Sequence, residues 1–205
     1  EDCDTVWRQS TPLTVRTFSA AAYYFGKELH KILGVPVGLV TSNWGGTVIE
    51  AWMSRESLDA IPGRNADVEK TRSGANASTV LYNGMIKPIC NFTAKGFIWY
   101  QGCSNRGNWY DYAELQKAHI RQWRKDWGDT TNAMPFYYVM IAPYIYDGSN
   151  DTAYPLFVEN QVRALSKIPN SGMAATTDIG EERCIHPAQK FEVGQRLAAL
   201  ALQQT

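Results

Sequence analysis

Segments with helical periodicity alternate along this chain with short apolar segments, and this alternation restricts its fold more than any other feature. Apolar residues recur at helical spacing in residues 18–33, 111–127, 155–168 and 188–204. Short runs typical of buried strands cover residues 35–43, 95–101, 136–143 and 171–178. Strands separated by helices of this length indicate a parallel sheet covered on both faces. The predicted fold class is therefore α/β, a three-layer sandwich around a parallel sheet.

Size and charge are typical of one globular domain. The chain has 205 residues and is 44% apolar, which is enough for one core, so a single domain over residues 1–205 is predicted. A net charge of +0 argues against a nucleic-acid or anionic-membrane surface. The longest apolar stretches, such as residues 136–143, reach about half of the roughly 20 residues of a membrane span. Residues 1–15 lack the basic start and apolar run of a signal peptide.

The cysteines and histidines do not have the spacing of a metal site. Cys3, Cys90, Cys103 and Cys184 include no C-x-x-C pair, and the three histidines are scattered. No zinc site is therefore predicted. The thiols permit a disulfide without establishing an oxidising compartment.

Four loops are the predicted location of a ligand, because open parallel sheets bind ligands beyond the carboxyl ends of their strands. These loops are residues 43–47, 101–105, 144–150 and 178–190. In the first, Gly45 and Gly46 follow a predicted strand, where glycine lets a backbone N–H approach a ligand. An oxyanion hole, a phosphate-binding turn and a plain tight turn would each use such a pair, although no G-K-[ST] accompanies it.

The second and fourth loops contain further polar groups. Gln101 and Asn105 have side-chain amides that could donate to an oxyanion, as could the backbone of Gly102, or the amides could simply tie the loop to itself. His186 is the only histidine in a predicted loop, and Pro187 favours an extended backbone before the last helix. A loop histidine with Asp178 or Glu181 to orient it has the arrangement of a general base. His30 and His119 lie on amphipathic helices and are interpreted as structural or surface residues.

Seven segments in a fixed order resemble the sialate O-acetylesterase family of the SGNH hydrolase superfamily. They are FSAAAYYFGKEL, VPVGLVTSNWGGTVIEAWMS, LYNGMIKPI, KGFIWYQGCSN, QWRKDW, PFYYVMIAPY and CIHPAQKFEVGQRLA. The resemblance runs from about residue 7 to residue 202, and its most specific parts are WGGT-x-IEAW, WYQG-x-x-N and IHP-x-x-K.

The resemblance implies a flavodoxin-like α/β fold and hydrolysis of acetyl esters on sugars, such as 9-O-acetyl sialic acid or xylan-type acetyl groups. It implies an oxyanion hole at Gly45 or Gly46 and Asn105, and a catalytic histidine at His186. It requires no metal or organic cofactor. Relatives are commonly exported, which predicts an extracytoplasmic location.

The chain departs from the family pattern at the nucleophile. The family's serine lies in a G-Q-S-N block at the end of the first strand, upstream of the helix at residues 18–33, and no G-Q-S or G-D-S occurs here. The expected partner is therefore a missing N-terminal segment, or a separate chain, that carries the nucleophile. Without that first strand, an inner position of the sheet would be vacant. The 205 residues would then be the C-terminal part of the full catalytic domain.

A second departure concerns two cysteines. Many relatives have glutamate at the position of Cys103 and aspartate at that of Cys184. Because both loops flank one pocket, the two thiols are predicted to lie within disulfide reach. Loss of that aspartate leaves Asp178 as the first candidate to orient His186, with Glu181 or Glu182 second.

Two other functions remain open. A thiol hydrolase would use Cys103 as nucleophile with His186, and Ser42 or Ser104 would be weaker choices. A non-catalytic carbohydrate-binding module would use aromatic residues on the predicted rim, namely Trp44, Trp52, Trp109, Tyr110 and Tyr144. Retention of the glycine pair and His186 favours catalysis. Specificity is expected to lie in residues 60–80 and 144–154.

Overall fold

A computed structural model describes residues 6–64, 72–146 and 152–203 of the chain. Within these ranges the α-helices are α1 (Ala20–Leu33), α2 (Arg55–Asp59), α3 (Tyr112–Asp126), α4 (Ala153–Leu165) and α5 (Lys190–Leu202). The strands are β1 (Phe97–Trp99), β2 (Phe136–Val139) and β3 (Ser171–Ala174), and 3-10 turns occupy Ile49–Trp52 and Cys103–Asp111. None of the helices in the described ranges is long and apolar enough to cross a membrane.

The strands form a parallel sheet in the order β1-β2-β3, with Phe97 opposite Phe136 and Phe136 opposite Ser171. Alternate side chains of a strand point to opposite faces. Tyr138 accordingly packs in the core formed with α3 and α4, whereas Tyr137 packs in the core formed with α1 and α5. The predicted three-layer α/β sandwich is confirmed.

Local sequence signals set both ends of α1. The Ser19 side chain accepts a hydrogen bond from the Ala22 N–H at the start of α1, which ends at Gly34 with a φ of +67°. This end is the predicted one, because glycine tolerates the left-handed conformation that commonly closes a helix. α1 then packs along α5, where the rings of Tyr24 and Phe191 lie 5.3 Å apart.

Residues 35–43 do not form the buried strand that their composition predicts. The described sheet contains β1, β2 and β3 only, and Val35 and Val40 are 47% and 57% exposed. Leu39 does pack on α1, since a Cβ added to Gly26 would lie 2.7 Å from Leu39 Cδ1. An isolated strand is not stable without hydrogen-bonded neighbours, and no described strand pairs with this segment. The apolar pattern of this segment alone is therefore not sufficient to form a strand.

The two regions expected to determine specificity are only partly described. Residues 65–71 of the first and 147–151 of the second lie outside the described ranges. The described part of the first region includes a 3-10 turn at Gly74–Asn76.

Candidate functional site

The loop that follows β1 begins with a glycine whose backbone conformation and packing both exclude a side chain. Gly102 has a φ of +149°, and a Cβ placed there would lie 2.7 Å from the Phe157 ring and 2.8 Å from Ile141 Cγ2. Its carbonyl accepts a hydrogen bond from the Asn105 N–H at 2.8 Å. The chain therefore turns sharply at Gly102 and brings Asn105 back toward the strand.

Gln101 links this loop to the glycine turn. Its Nε2 donates to the Thr47 carbonyl at 2.9 Å and to Asn105 Oδ1 at 2.7 Å. Its Oε1 accepts from the Tyr112 hydroxyl at 2.8 Å. Because these bonds use both hydrogens of the amide, Gln101 holds the loops together in this structure and is not free to donate to a ligand.

Asn105 lies at the centre of the contacts between the two loops and is 1% exposed. Its Oδ1 accepts from the Ile49 N–H at 2.9 Å and from Gln101, and its Nδ2 donates to Glu50 Oε2 at 2.8 Å. These partners distinguish the two ends of the amide, since donors surround Oδ1 and an acceptor faces Nδ2. The amide orientation is therefore fixed.

The glycine turn is exposed but firmly supported. Thr47 Oγ1 donates to the Trp44 carbonyl at 2.7 Å and accepts from Trp52 Nε1 at 3.0 Å. Asn76 donates to the Gly46 carbonyl at 3.2 Å and accepts from the Val48 N–H at 2.9 Å. A Cβ added at Gly45 or Gly46 would have no described atom within 4 Å. The space above the turn is therefore open to a ligand.

A buried acidic residue that is not among the predicted site residues underlies both loops. Glu50 is fully buried in the 3-10 turn Ile49–Trp52. Its Oε1 accepts from Arg64 Nη1 at 2.9 Å, and Arg72 Nη1 lies 3.3 Å from its Oε2. Arg64 also binds Asp111. The sequence signal for this residue is a glutamate inside the apolar run VIEAWM. A carboxylate buried with such a run requires charged or hydrogen-bonding partners.

Asp178, the first candidate to orient His186, is bound to a different residue. His186 is exposed, and the Asp178 carboxylate binds Arg196 of α5 through two hydrogen bonds of 2.7 and 2.6 Å. This bond to Arg196 lowers the pKa of Asp178. A two-point guanidinium pair is stronger than a neutral hydrogen bond, so Asp178 is bound to α5 rather than to His186. Glu181 is the acid that contacts the histidine loop, accepting from the Ala188 N–H at 2.5 Å.

The predicted disulfide is not formed, and Cys103 and Cys184 are both free thiols. The Cys184 Sγ donates to the His186 carbonyl at 3.2 Å, so it is turned toward its own loop. Cys103 lies half-buried beside Tyr146, and burial raises the pKa of the Cys103 thiol.

Lys190 connects the histidine loop to the loop that follows β1. It is the lysine of the IHP-x-x-K segment, and its Nζ lies 5.2 Å from the centre of the Tyr100 ring. Burial lowers the pKa of Lys190, while the neighbouring Cys184, Glu181 and Cys103 oppose this shift. The cation–π contact places the loop of His186 next to the loop of Gln101.

The predicted rim aromatics divide into exposed and buried residues. Trp44 and Tyr110 are 53% and 65% exposed, whereas Trp52 is 2% exposed and belongs to the core. Trp109 and Tyr144 are half-buried. Trp52 is therefore wrongly assigned to the rim, because its indole N–H is bound by Thr47. Trp44 is thus an exposed aromatic residue directly next to Gly45.

A surface cleft elsewhere contains none of the predicted site residues. Its volume is about 670 Å³, and it lies between α2 and α3, with Glu56, Tyr82, Arg121 and Asp126 among its lining residues. In the described ranges, no three His, Cys, Asp or Glu side chains are grouped closely enough to hold a metal ion.

Comparison with known proteins gives consistent matches over most of the chain. The model of the family described as "Carbohydrate esterase, sialic acid-specific acetylesterase" matches residues 6–203. The sialate O-acetylesterases of Homo sapiens and Mus musculus are 35% and 31% identical to this chain over 196 and 222 residues. A crystal structure of a carbohydrate acetylesterase from Xanthomonas citri superposes with a TM-score of 0.83 and 41% sequence identity.

These matches cover most of this chain but less than half of each relative. They cover 87% of this chain against 38% of the human protein and 41% of the mouse protein. The bacterial structure matches 95% of this chain with 43% of its own.

Proposed function

This chain belongs to the family of carbohydrate esterases described as sialic acid-specific acetylesterases, and on that basis we propose that it contributes the histidine and the oxyanion hole of an enzyme that hydrolyses acetyl esters on sugars. The observation that carries the proposal is the set of hydrogen bonds at Gln101, which holds the Gly45–Gly46 turn beside Asn105. The contact of Lys190 with Tyr100 brings the His186 loop next to the loop that contains Gln101 and Asn105.

The proposed reaction has two steps. A serine hydroxyl attacks the acetyl carbonyl while His186 accepts its proton, and the oxyanion is held by the backbone N–H of Gly45 or Gly46 and by Asn105 Nδ2. His186 returns the proton to the departing sugar oxygen, which leaves an acetyl-serine. His186 then deprotonates a water that attacks this ester, and acetate departs as the serine hydroxyl is restored. No step requires a cofactor.

The nucleophile is proposed to come from a segment outside residues 1–205, either upstream in the same protein or in a separate chain. These residues contain no G-Q-S or G-D-S sequence, and the matched relatives are more than twice as long. The exposed valines of residues 35–43 and the free edge of the described sheet beside β1 would accommodate one further strand. On this proposal the 205 residues are the C-terminal part of one catalytic domain.

Glu181 is the proposed acid that orients His186. It is joined to the histidine loop by its hydrogen bond to the Ala188 N–H, whereas Asp178 is held by Arg196. A carboxylate that accepts from an imidazole N–H fixes the tautomer and stabilises the imidazolium formed in each step.

The proposed substrate is an acetylated sugar, with the 9-O-acetyl group of a sialic acid or a related acetyl ester as the reacting group. The relatives named sialate O-acetylesterase support this choice, and the exposed ring of Trp44 provides a stacking face beside the oxyanion hole. Export of such enzymes leads us to propose an extracytoplasmic location.

The other candidate functions have less support. A nucleophilic thiol requires a lowered pKa, but burial raises that of Cys103. A module that only binds sugars would not need the hydrogen bonds that hold the Gly46 turn and the Asn105 amide in place.

Labelling with a serine-directed fluorophosphonate, followed by peptide mapping, tests the proposal on the native sample with any accompanying chain. We expect a label outside residues 1–205, loss of labelling in His186→Ala and normal labelling in His30→Ala, since His30 is an exposed residue of α1 outside the four predicted loops. A label on Cys103, Ser42 or Ser104 would contradict the assigned nucleophile. Absence of both labelling and acetyl-ester hydrolysis would favour the binding module.

A further inference from the structure

Glu50 is completely buried, and its carboxylate oxygens are bound by Arg64, Arg72 and Asn105. A buried carboxylate is costly unless charges and hydrogen bonds compensate for the loss of water. The carboxylate has such partners in Arg64 and Arg72, and Arg64 is shared with Asp111. This group thus contains two acids and two guanidinium groups, and its formal charge sums to zero.

Glu50 stays ionised in this setting. Burial acts to raise the pKa of Glu50, but the hydrogen bond from Asn105 and the charge of Arg72 outweigh it, so the pKa is lowered. The bond from Asn105 Nδ2 to Glu50 Oε2, at 2.8 Å, is therefore a charge-assisted one.

The remaining bonds of Asn105 make this contact directional. If the amide flipped, its oxygen would face the Glu50 carboxylate, and its nitrogen would face the N–H donors of Ile49 and Gln101. Every one of these contacts would become repulsive. The amide nitrogen has two hydrogens, and the bond to Glu50 uses one of them.

We propose that Glu50 is a positioning residue of the esterase, which holds the Asn105 amide so that its second Nδ2 hydrogen points at the oxyanion. This inference rests on the proposed function, in which Asn105 is an oxyanion donor. Arg64 and Arg72 are needed to neutralise Glu50, because an uncompensated carboxylate next to the oxyanion hole would repel the developing negative charge. Neutralised by Arg64 and Arg72, Glu50 orients the donor without opposing the transition state.

Steady-state kinetics of the complete natural protein on an acetylated sugar test this inference. In Glu50→Gln we expect kcat to fall at least about 10-fold with KM within about 2-fold, since a misaligned donor weakens only the transition state. Asn105→Ala should lower kcat by about 100-fold. Arg124→Gln is the matched control, because Arg124 is also 1% exposed and binds the distant carbonyls of Met134 and Asn170. It should lower the melting temperature and leave kcat unchanged.

The outcomes separate this inference from the function on which it rests. Unchanged kcat in folded Glu50→Gln, with a large loss in Asn105→Ala, overturns the role of Glu50 and leaves the proposed function standing. Unchanged kcat in Asn105→Ala overturns both. If Glu50→Gln does not fold, Glu50→Asp keeps the charge but withdraws the carboxylate from Asn105. A reduced kcat at constant KM in that variant supports the inference, and a kcat equal to the wild type overturns it.

Discussion

Lowering the pH from 7.5 to 5.0 should destabilise this protein by about 2 kcal/mol through His119 alone. This imidazole is fully buried on α3, neither ring nitrogen has a described hydrogen-bond partner, and it packs 4.6 Å from Trp99 and 4.4 Å from Trp123. Burial lowers the pKa of His119 from 6.5 to about 3. Between these values the unfolded chain binds a proton that the folded protein does not, so stability falls as the pH drops below 6.5.

The perturbation that isolates this effect is His119→Leu, which removes the titrating ring and keeps an apolar side chain in the core. Urea unfolding at both pH values gives the free energy of unfolding, and the wild type should lose about 2 kcal/mol more than the variant does. His30→Gln, at the surface, is the matched control and should keep the wild-type pH dependence because it retains His119. Equal pH dependence in the wild type and His119→Leu would refute the reasoning, since it would mean that the buried ring accepts a proton in the folded state.

Three further predictions concern the site. Gly102→Ala should destabilise the fold by on the order of 3 kcal/mol in urea unfolding, because the added methyl group is strained and overlaps Phe157; an unchanged midpoint would contradict this. Trp44→Ala should raise KM for an acetylated sugar with little change for a small acetyl ester such as 4-nitrophenyl acetate, and equal effects on both would exclude a stacking role. Asp178→Asn should retain kcat in steady-state assays while Glu181→Gln lowers it, and the reverse result would restore Asp178 as the orienting acid.

The helices and the α/β fold class can be predicted from the sequence because their signals are local. Apolar spacing with a terminal glycine predicted α1, whose end at Gly34 is confirmed. The strand at residues 35–43 was predicted on the same kind of pattern, but a strand also needs a neighbour, which no local pattern provides. Val40, for example, remains exposed because no described strand pairs with its segment.

The chemistry of the site depends on partners that are far apart in the sequence. The sequence is compatible with Gln101 as an oxyanion donor or as a link between loops, and its bond to the Thr47 carbonyl makes it a link in this structure. The pairing of Asp178 with Arg196 joins residues that are 18 positions apart, and the hydrogen bond of Cys184 to the His186 carbonyl turns that thiol toward its own loop. His119 was expected to be a structural or surface residue. It is buried, yet unpartnered among the described residues.

The bonds of Gln101 also have a consequence for the order of folding. The bond to Thr47 joins residues that are 54 positions apart along the chain. Closing such long loops is slow compared with forming helices, whose contacts are local. During refolding, the helical circular dichroism signal should therefore recover before any function that needs the Gly46 turn and Asn105 together. Recovered activity would report the last long-range contacts to form, and recovered helix content the first local ones.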